Sequence, residues 1–217
     1  MSAATMTPPL ILASGSPRRR ELLGRLGLPF VVLPSDVDET VPPGMAPEEV
    51  ARSLARQKAA AVATGQPGRV VIGADTVVIP QPGETAILGK PRDAADATRM
   101  LRALRGRWHR VATGIAVVRD DREWHDVISA DVRMADYSDD DIATYVASGE
   151  PRDKAGAYAV QGLGGRLVAE VSGSELTVVG LPLHRLAALL AEAGVALPID
   201  PATLPDRWQI RPADETR

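Results

Sequence analysis

The feature that most constrains the fold is a ten-residue run, VVIGADTVVI, at Val70–Ile79. Its residues are mostly β-branched and apolar on both alternating faces, which predicts a central strand covered on both sides. Asp75 lies in this run, where an ionised carboxylate is costly unless it is paired or binds a metal. Two interpretations stay open: Asp75 caps a turn at Gly73 and Ala74, or it holds a divalent cation or deprotonates an attacking water.

Strand-like apolar runs alternate with helical patterns along the rest of the chain, which predicts an α/β fold with a mixed sheet and flanking helices. Further strands are predicted at 10–13, 30–33, 111–118, 127–134 and 166–171. Helices are predicted from Pro17, from Pro47 to about Thr64, after Asp93, at 139–147 and at 182–193. Residues 1–197 are expected to form one domain, and 198–217, rich in Pro, Asp and Arg, to form a loose tail.

The composition excludes several classes of function. Aromatic residues make up only 3% of the chain, which argues against base-stacking platforms, and a formal net charge of -3 argues against binding bulk nucleic acid. Any polyanion that the chain binds should be small and met by a local basic cluster. The chain has no cysteine, which excludes disulfides, zinc–cysteine sites and thiol catalysis. No apolar run is long enough to span a membrane and no secretion signal is seen, so a cytoplasmic location is expected.

The most basic local segment is Ser14–Arg20, SGSPRRR. Ser16 can cap a helix that begins at Pro17, and free backbone N–H groups at such an N-terminus attract anions. Arginines in this first turn oppose the helix dipole. The segment is therefore either a phosphate cradle or a solvated basic turn, and it lacks the spacing of a Walker loop.

Two lysines and a glycine-rich loop add further candidates. Lys58 shares a four-residue spacing with Val50, Leu54 and Val62, so its ammonium either reaches water from the edge of the apolar stripe or points into a cleft. Lys90 precedes a helix start and is on its own an ordinary surface lysine. The loop 148–165 is either irregular or a binding loop, in which Gln161 could contact a base edge. The three histidines lack metal-ligand spacing and are interpreted as structural or surface residues.

Taken in order, these segments resemble the Maf family of nucleoside triphosphate pyrophosphatases. The matching pieces cover about Leu10 to Leu190: LASGSPRRRELL, DVDE, LARQKA, VIGADTVV, LGKPRDAADATRML, RWHRVATG, GEPRDKAGAYAVQGLGG and VVGLPL. The resemblance implies an elongated α/β fold related to that of inosine triphosphatase, with a deep cleft. It also implies a divalent cation, usually magnesium or manganese, a nucleotide substrate and often a homodimer.

The resemblance also assigns residues. It makes Asp75 the proton acceptor and, with Glu39, a metal-related carboxylate. It gives the phosphate contacts to a set of small and cationic side chains: Ser14, Arg18, Arg19, Lys58 and Lys90. Arg18, Thr76 and Gln161 match the subgroup that resembles dTTP/UTP pyrophosphatases and differ from the subgroup that resembles 7-methyl-GTP pyrophosphatases, so dTTP and UTP are the expected substrates.

One segment departs from the family pattern. The family often has GSYSNVVGLPL where this chain has GSELTVVGLPL at Gly173–Leu183, so a base or ribose contact from that segment is in doubt. Two other functions stay open. One is a pyrophosphatase for modified nucleotides, and the other is a nucleotide-binding regulator of cell division that hydrolyses nothing.

Overall fold

The computed structural model describes residues 10–39, 44–81, 83 and 85–208. Six strands form one sheet in the order β2-β1-β3-β4-β5-β6. Their bounds are β1 (Leu10–Leu12), β2 (Phe30–Val32), β3 (Val70–Ile79), β4 (Trp108–Arg119), β5 (Arg122–Met134) and β6 (Val168–Ser172). The strand β1 is parallel to both β2 and β3, whereas the pairs from β3 to β6 are antiparallel. The predicted α/β fold with a mixed sheet is confirmed.

Six α-helices of the described ranges flank the sheet. They are α1 (Pro17–Gly24), α2 (Pro47–Ala63), α3 (Ala94–Leu104), α4 (Asp139–Ala147), α5 (Glu175–Val179) and α6 (Leu183–Glu192). Ser16 caps α1 and Asp93 caps α3, each accepting a backbone N–H three residues on. The helix α5 has no counterpart in the sequence prediction, because five residues are too few to show helical periodicity. None of the helices in the described segments is both long and apolar enough to cross a membrane.

The run Val70–Ile79 is one continuous strand, with helices on both faces. Val71 packs with α2 on one face, and Ile72 packs with α1 and α6 on the other. Asp75 pairs with Gly114 of β4 inside this ladder. The alternative that Asp75 caps a turn is therefore wrong: the ladder continues through Gly73 and Ala74 because each has a partner on β4.

Two glycines allow α2 to lie directly against the sheet. A Cβ added to Gly73 would stand 2.2 Å from the carbonyl oxygen of Ala55, and one added to Gly114 would stand 2.2 Å from that of Ala51. Both distances are far below van der Waals contact, so only glycine allows this approach. The close contact brings Lys58, one turn beyond Leu54 on α2, to the level of Asp75.

The C-terminal segment 198–208 differs from the expected loose tail. Leu204 is buried in the core that α1 and α6 share. The backbone N–H of Trp208 donates to Glu175 Oε2 at 3.1 Å, and Arg25 Nη2 donates to the Trp208 carbonyl at 2.7 Å. The expectation rested on the polar and proline residues and overlooked the one leucine and one tryptophan that anchor the segment. The rest of the predicted tail, 209–217, lies outside the described residues.

Candidate active site

A cleft of about 700 Å³ lies beside the central strand β3. The short strand β1 pairs with β3 only as far as Ile72, and Val78 forms an isolated bridge with Leu88. Between these two contacts the edge of β3 faces the cleft. All nine residues proposed from the sequence line it: Ser14, Arg18, Arg19, Glu39, Lys58, Asp75, Thr76, Lys90 and Gln161. The volume is that of an ordinary small-molecule site.

Lys58 bridges two carboxylates in this cleft. Its Nζ donates to Asp75 Oδ1 at 2.6 Å and lies 2.7 Å from Glu39 Oε1. Lys58 and Asp75 are both buried. The structure therefore shows the second interpretation of Lys58, in which its ammonium points into a cleft. The hydrogen bond from Lys58 lowers the pKa of Glu39, with further contributions from the positive charges of Lys90 and Arg19.

The same two carboxylates fit a divalent cation of the magnesium type. Glu39 and Asp75 offer hard oxygen ligands that face open space in the cleft. Within the described segments no group of three or more acidic, histidine or cysteine side chains could enclose a metal. Magnesium is ordinarily held by one or two carboxylates together with water and substrate phosphates. The side chains present therefore fit a cation that is bound jointly with a phosphorylated ligand.

Arg19 of α1 points into the cleft, and its guanidinium forms no ion pair within the part of the chain that the structure describes. Its guanidinium donates to Ser14 Oγ at 3.2 Å, to Thr76 Oγ1 at 3.1 Å and to the Gly180 carbonyl at 2.9 Å. All three acceptors are neutral. Burial lowers the pKa of Arg19, although the negative charge of Asp75 acts in the opposite direction. Because arginine stays protonated in proteins, the guanidinium presents a fixed positive charge to an anion.

The glycine-rich loop contributes charges that sequence reasoning missed. Lys154 lines the cleft, and its Nζ donates to the Glu150 carbonyl at 2.6 Å and to Asp153 Oδ1 at 2.7 Å. Asp153 also lies 3.6 Å from the guanidinium of Arg18. The loop thus forms part of the cleft wall, which is the position that the binding-loop interpretation requires. The cluster of charges in its RDK tripeptide was the available signal, but of this loop only Gln161 is singled out by the sequence as a candidate contact.

Gln161 and Lys90 occupy different levels of the site. The amide Nε2 of Gln161 is buried and has no hydrogen-bond partner in the described part of the chain. An unsatisfied buried donor is costly, so a ligand acceptor at this position would stabilise it. Lys90, by contrast, is exposed at the rim of the cleft.

The histidines take no part in a metal site among the described residues. His109 is fully buried, and its Nε2 lies 2.6 Å from Tyr158 Oη. Burial lowers the pKa of His109 to about 4. Tyr158 lines the cleft, so this pair joins the glycine-rich loop to β4. His109 is therefore structural, as the sequence suggested.

The segment that departs from the family pattern turns away from the cleft at its altered positions. Glu175 accepts the N–H of Trp208, and the Thr177 side chain is fully buried. The segment lines the cleft with Val178 and Val179, and its Gly180 carbonyl accepts from Arg19. The altered residues therefore serve packing and the C-terminal segment.

Comparison with known proteins gives the same grouping as the motifs. The family model described as Maf-like protein matches residues 9–193. A dTTP/UTP pyrophosphatase of Anaeromyxobacter dehalogenans is 54% identical over 197 residues, which cover 89% of this chain and 98% of that protein. Proteins of the same name from Symbiobacterium thermophilum and Thermomicrobium roseum are 49% and 48% identical, over 85% and 95% of this chain and 94% and 96% of their own lengths.

The resemblance inferred from the motifs is thereby confirmed over most of the sequence. The family match spans every segment that lines the cleft, from the arginine turn to the Gly180 carbonyl. The chain belongs to the family of Maf-like proteins.

Proposed function

We propose that the chain hydrolyses nucleoside triphosphates, with dTTP and UTP favoured, to a nucleoside monophosphate and pyrophosphate. The observation that carries this proposal is the convergence of five cationic side chains and a carboxylate pair on one cleft. The cations come from separate segments of the chain: Arg18, Arg19, Lys58, Lys90 and Lys154. The names of the relatives specify the pyrimidine substrates.

Binding of the triphosphate follows from the cationic set. Arg19 and the N-terminus of α1 supply one group of anion-binding donors, and Lys58 and Lys90 line the same cleft with further positive charge. The unpartnered amide of Gln161 provides a donor for a base carbonyl, which uracil and thymine both present. Such fixed groups position the α-phosphorus with little reorganisation.

Asp75 is the proposed general base. Its Oδ1 accepts the hydrogen bond from Lys58, which holds the carboxylate toward the cleft. From there Asp75 accepts the proton of a water that attacks the α-phosphorus, and the bond between that phosphorus and the bridging oxygen of the β-phosphate breaks. A magnesium or manganese ion held by Glu39 and Asp75 would supply charge neutralisation of the phosphate oxygens. Lys58, Lys90 and Arg19 stabilise the charge on the departing pyrophosphate.

The deciding experiment is a nucleotide panel with magnesium and with manganese, in which monophosphate and diphosphate products are separated. Release of pyrophosphate and monophosphate, with the highest kcat/KM for dTTP and UTP, is the expected result. A higher kcat/KM for a methylated or otherwise modified nucleotide would favour the role in removing modified nucleotides. No product from any nucleotide, despite measurable binding, would favour the non-hydrolysing regulator of cell division.

Substitution of the base provides the matching test on the chain itself. Asp75→Asn should keep the fold, because Lys58 retains its contact with Glu39, and should lower kcat about 10²- to 10⁴-fold. Turnover of dTTP and the melting temperature are measured together. A folded Asp75→Asn protein with ordinary turnover would remove Asp75 from the base role.

Location and assembly belong to the same proposal. A cytoplasmic enzyme would meet its nucleotide substrates directly, and a chain with no cysteine suits a reducing compartment. The family resemblance suggests a homodimer, which light scattering coupled to size-exclusion chromatography would establish. A monomer over the working concentration range would end that part of the proposal.

A further inference from the structure

A chain of hydroxyl groups lies behind Arg19, and one member of it has no role in the proposed reaction. Arg19 Nη2 lies 3.1 Å from Thr76 Oγ1, which lies 2.9 Å from Thr113 Oγ1. Thr113 Oγ1 in turn lies 2.7 Å from the carbonyl oxygen of Thr177. Thr113 is fully buried on β4 and does not line the cleft.

The groups at the two ends of this chain of hydroxyls determine which group donates in each hydrogen bond. A carbonyl oxygen can only accept, so the single hydroxyl hydrogen of Thr113 is donated to Thr177. Thr113 Oγ1 must then accept from Thr76, which commits the one hydrogen of Thr76. The guanidinium of Arg19 can only donate, and Thr76 Oγ1 accepts from it. Thr76 therefore has no hydrogen left to donate to a ligand.

The sheet register explains why the two threonines meet. Thr76 and Thr113 are direct cross-strand partners on β3 and β4. Paired side chains on one face of an antiparallel ladder stand close enough for hydroxyl–hydroxyl hydrogen bonds. The hydroxyl at position 113 is thus placed by strand pairing, and α5 supplies the carbonyl that orients it.

We propose that Thr113 is a positioning residue for the phosphate site, and that Thr76 acts on the nucleotide through Arg19 rather than by donating a hydrogen bond to it. By orienting the Thr76 hydroxyl, Thr113 keeps an acceptor directed at Arg19 and so fixes the guanidinium in the cleft. The proposal deepens the proposed function, since it rests on Arg19 meeting the phosphates. A substitution at position 113 changes the site without removing any group from the cleft.

The test is a double-mutant cycle that combines position 113 with Arg19. Thr113→Val keeps the shape of the side chain and removes the hydroxyl, whereas Thr113→Ser keeps the hydroxyl. We expect Thr113→Val to weaken binding of inorganic tripolyphosphate, measured by calorimetry, and to lower kcat/KM for dTTP, each about tenfold. Thr113→Ser should stay within about twofold of the parent chain. In an Arg19→Gln background, adding Thr113→Val should lower tripolyphosphate affinity and kcat/KM by less than about twofold, because the guanidinium that Thr113 positions is already gone.

Three results would overturn the proposal. The first is a Thr113→Val protein with unchanged tripolyphosphate binding. The second is a loss that persists in full in the Arg19→Gln background, which would mean that Thr113 acts on the fold in general. The third is a Thr113→Ser protein as impaired as Thr113→Val. If Thr113→Val does not fold, variants at Thr76, one step nearer Arg19, take the place of the Thr113 variants in the cycle. Thr76→Val breaks the chain of hydroxyl groups, and Thr76→Ser preserves it.

The binding measurement also separates this proposal from the proposed function. Tripolyphosphate binding requires the cations of the cleft but no hydrolysis. A parent chain that binds tripolyphosphate and hydrolyses no nucleotide would refute the pyrophosphatase activity, while the cycle would still decide whether Thr113 positions Arg19.

Discussion

At the scale of single residues, Lys58 sets the charge balance of the cleft. One ammonium lies within hydrogen-bond distance of both Asp75 and Glu39, so two neighbouring carboxylates share one cation. Glu39 is exposed but Asp75 is buried, and a buried carboxylate beside a second one is stabilised by a positive charge that lies between them. A nucleotide brings negative charge that competes for the same ammonium, and a divalent cation brings positive charge that can replace it. If the proposed function holds, Lys58 links the binding of both.

Removing that ammonium should make the chain depend on a metal for stability. In Lys58→Met, the like charges of Glu39 and Asp75 lose their shared partner, so the melting temperature without metal should fall by several degrees, as expected for about 1–3 kcal/mol in a chain of this size. Manganese should raise the melting temperature of Lys58→Met by more than it raises that of the parent chain. Lys90→Met, at the exposed rim, is the control and should respond to manganese like the parent. An equal manganese response in all three proteins would contradict the shared-partner account.

His109 gives a second prediction, through its buried neutral state. Its pKa is lowered to about 4 in the folded chain from 6.5, chiefly by burial. The unfolded chain therefore binds a proton between these two values while the folded chain does not, and stability falls as the pH decreases from 6.5 toward 4. His109 alone should cost about 2 kcal/mol of unfolding free energy between pH 7.5 and pH 5.

Urea unfolding at both pH values measures this effect. His109→Gln should be less stable at neutral pH but should lose less stability on acidification than the parent chain. His125→Gln, at an exposed position on β5, should keep the acid sensitivity of the parent. If acidification weakens His109→Gln as much as the parent, other groups are responsible.

At the scale of elements, the sequence predicts those features that repeat along several residues. The strand Val70–Ile79 is predicted by its β-branched run, and α1 and α3 by their caps at Ser16 and Asp93. The short helix α5 shows no such repetition and is missed. The motif residues of the cleft were predicted from the family resemblance. Thr113 was missed because its role comes from a tertiary neighbour, the Thr177 carbonyl. Lys154 is held by local acceptors, the Glu150 carbonyl and Asp153, and the charges around it in the sequence were a signal that was not followed to this residue.

The contact between α2 and β3 tests how far one element positions another. A methyl group at position 73 would meet the backbone of Ala55 and Ala59, so Gly73→Ala must push α2 away from the sheet and move Lys58 with it. We expect a loss of about 1–3 kcal/mol in unfolding free energy from overpacking. We also expect a fall in kcat/KM for dTTP at temperatures where the protein is fully folded.

Gly24→Ala is the matched control for this substitution. A Cβ at position 24 meets no atom within 4 Å, and the position lies in α1, where alanine is the better helix former. This variant should be as stable as the parent or more so, with the same kcat/KM. A Gly73→Ala protein with the parent's stability would show that α2 can be displaced at no cost.

At the scale of the whole molecule, the cleft carries a charge opposite to that of the chain. Among the described residues, five cationic and three acidic side chains line it, whereas the formal net charge of the chain is -3. The C-terminal segment helps to hold this arrangement, because Trp208 joins the end of α1 at Arg25 to the start of α5 at Glu175. The helix α1 and the segment that supplies the Gly180 carbonyl are thereby fixed to each other.

This separation of charge predicts a specific dependence on salt. If attraction of the triphosphate is local to the cleft, kcat/KM for dTTP at constant free magnesium should fall several-fold between about 0.1 M and about 1 M ionic strength, as the Debye length shrinks from about 10 Å to about 3 Å. Arg18→Gln removes one charge inside the cleft, so its kcat/KM should fall by a smaller factor over the same range of ionic strength. Arg133→Gln removes the same charge from β5, outside the cleft lining, and should leave the salt dependence unchanged. An equally reduced salt dependence in both variants would mean that the net charge of the chain, and not the cleft, governs the encounter with the nucleotide.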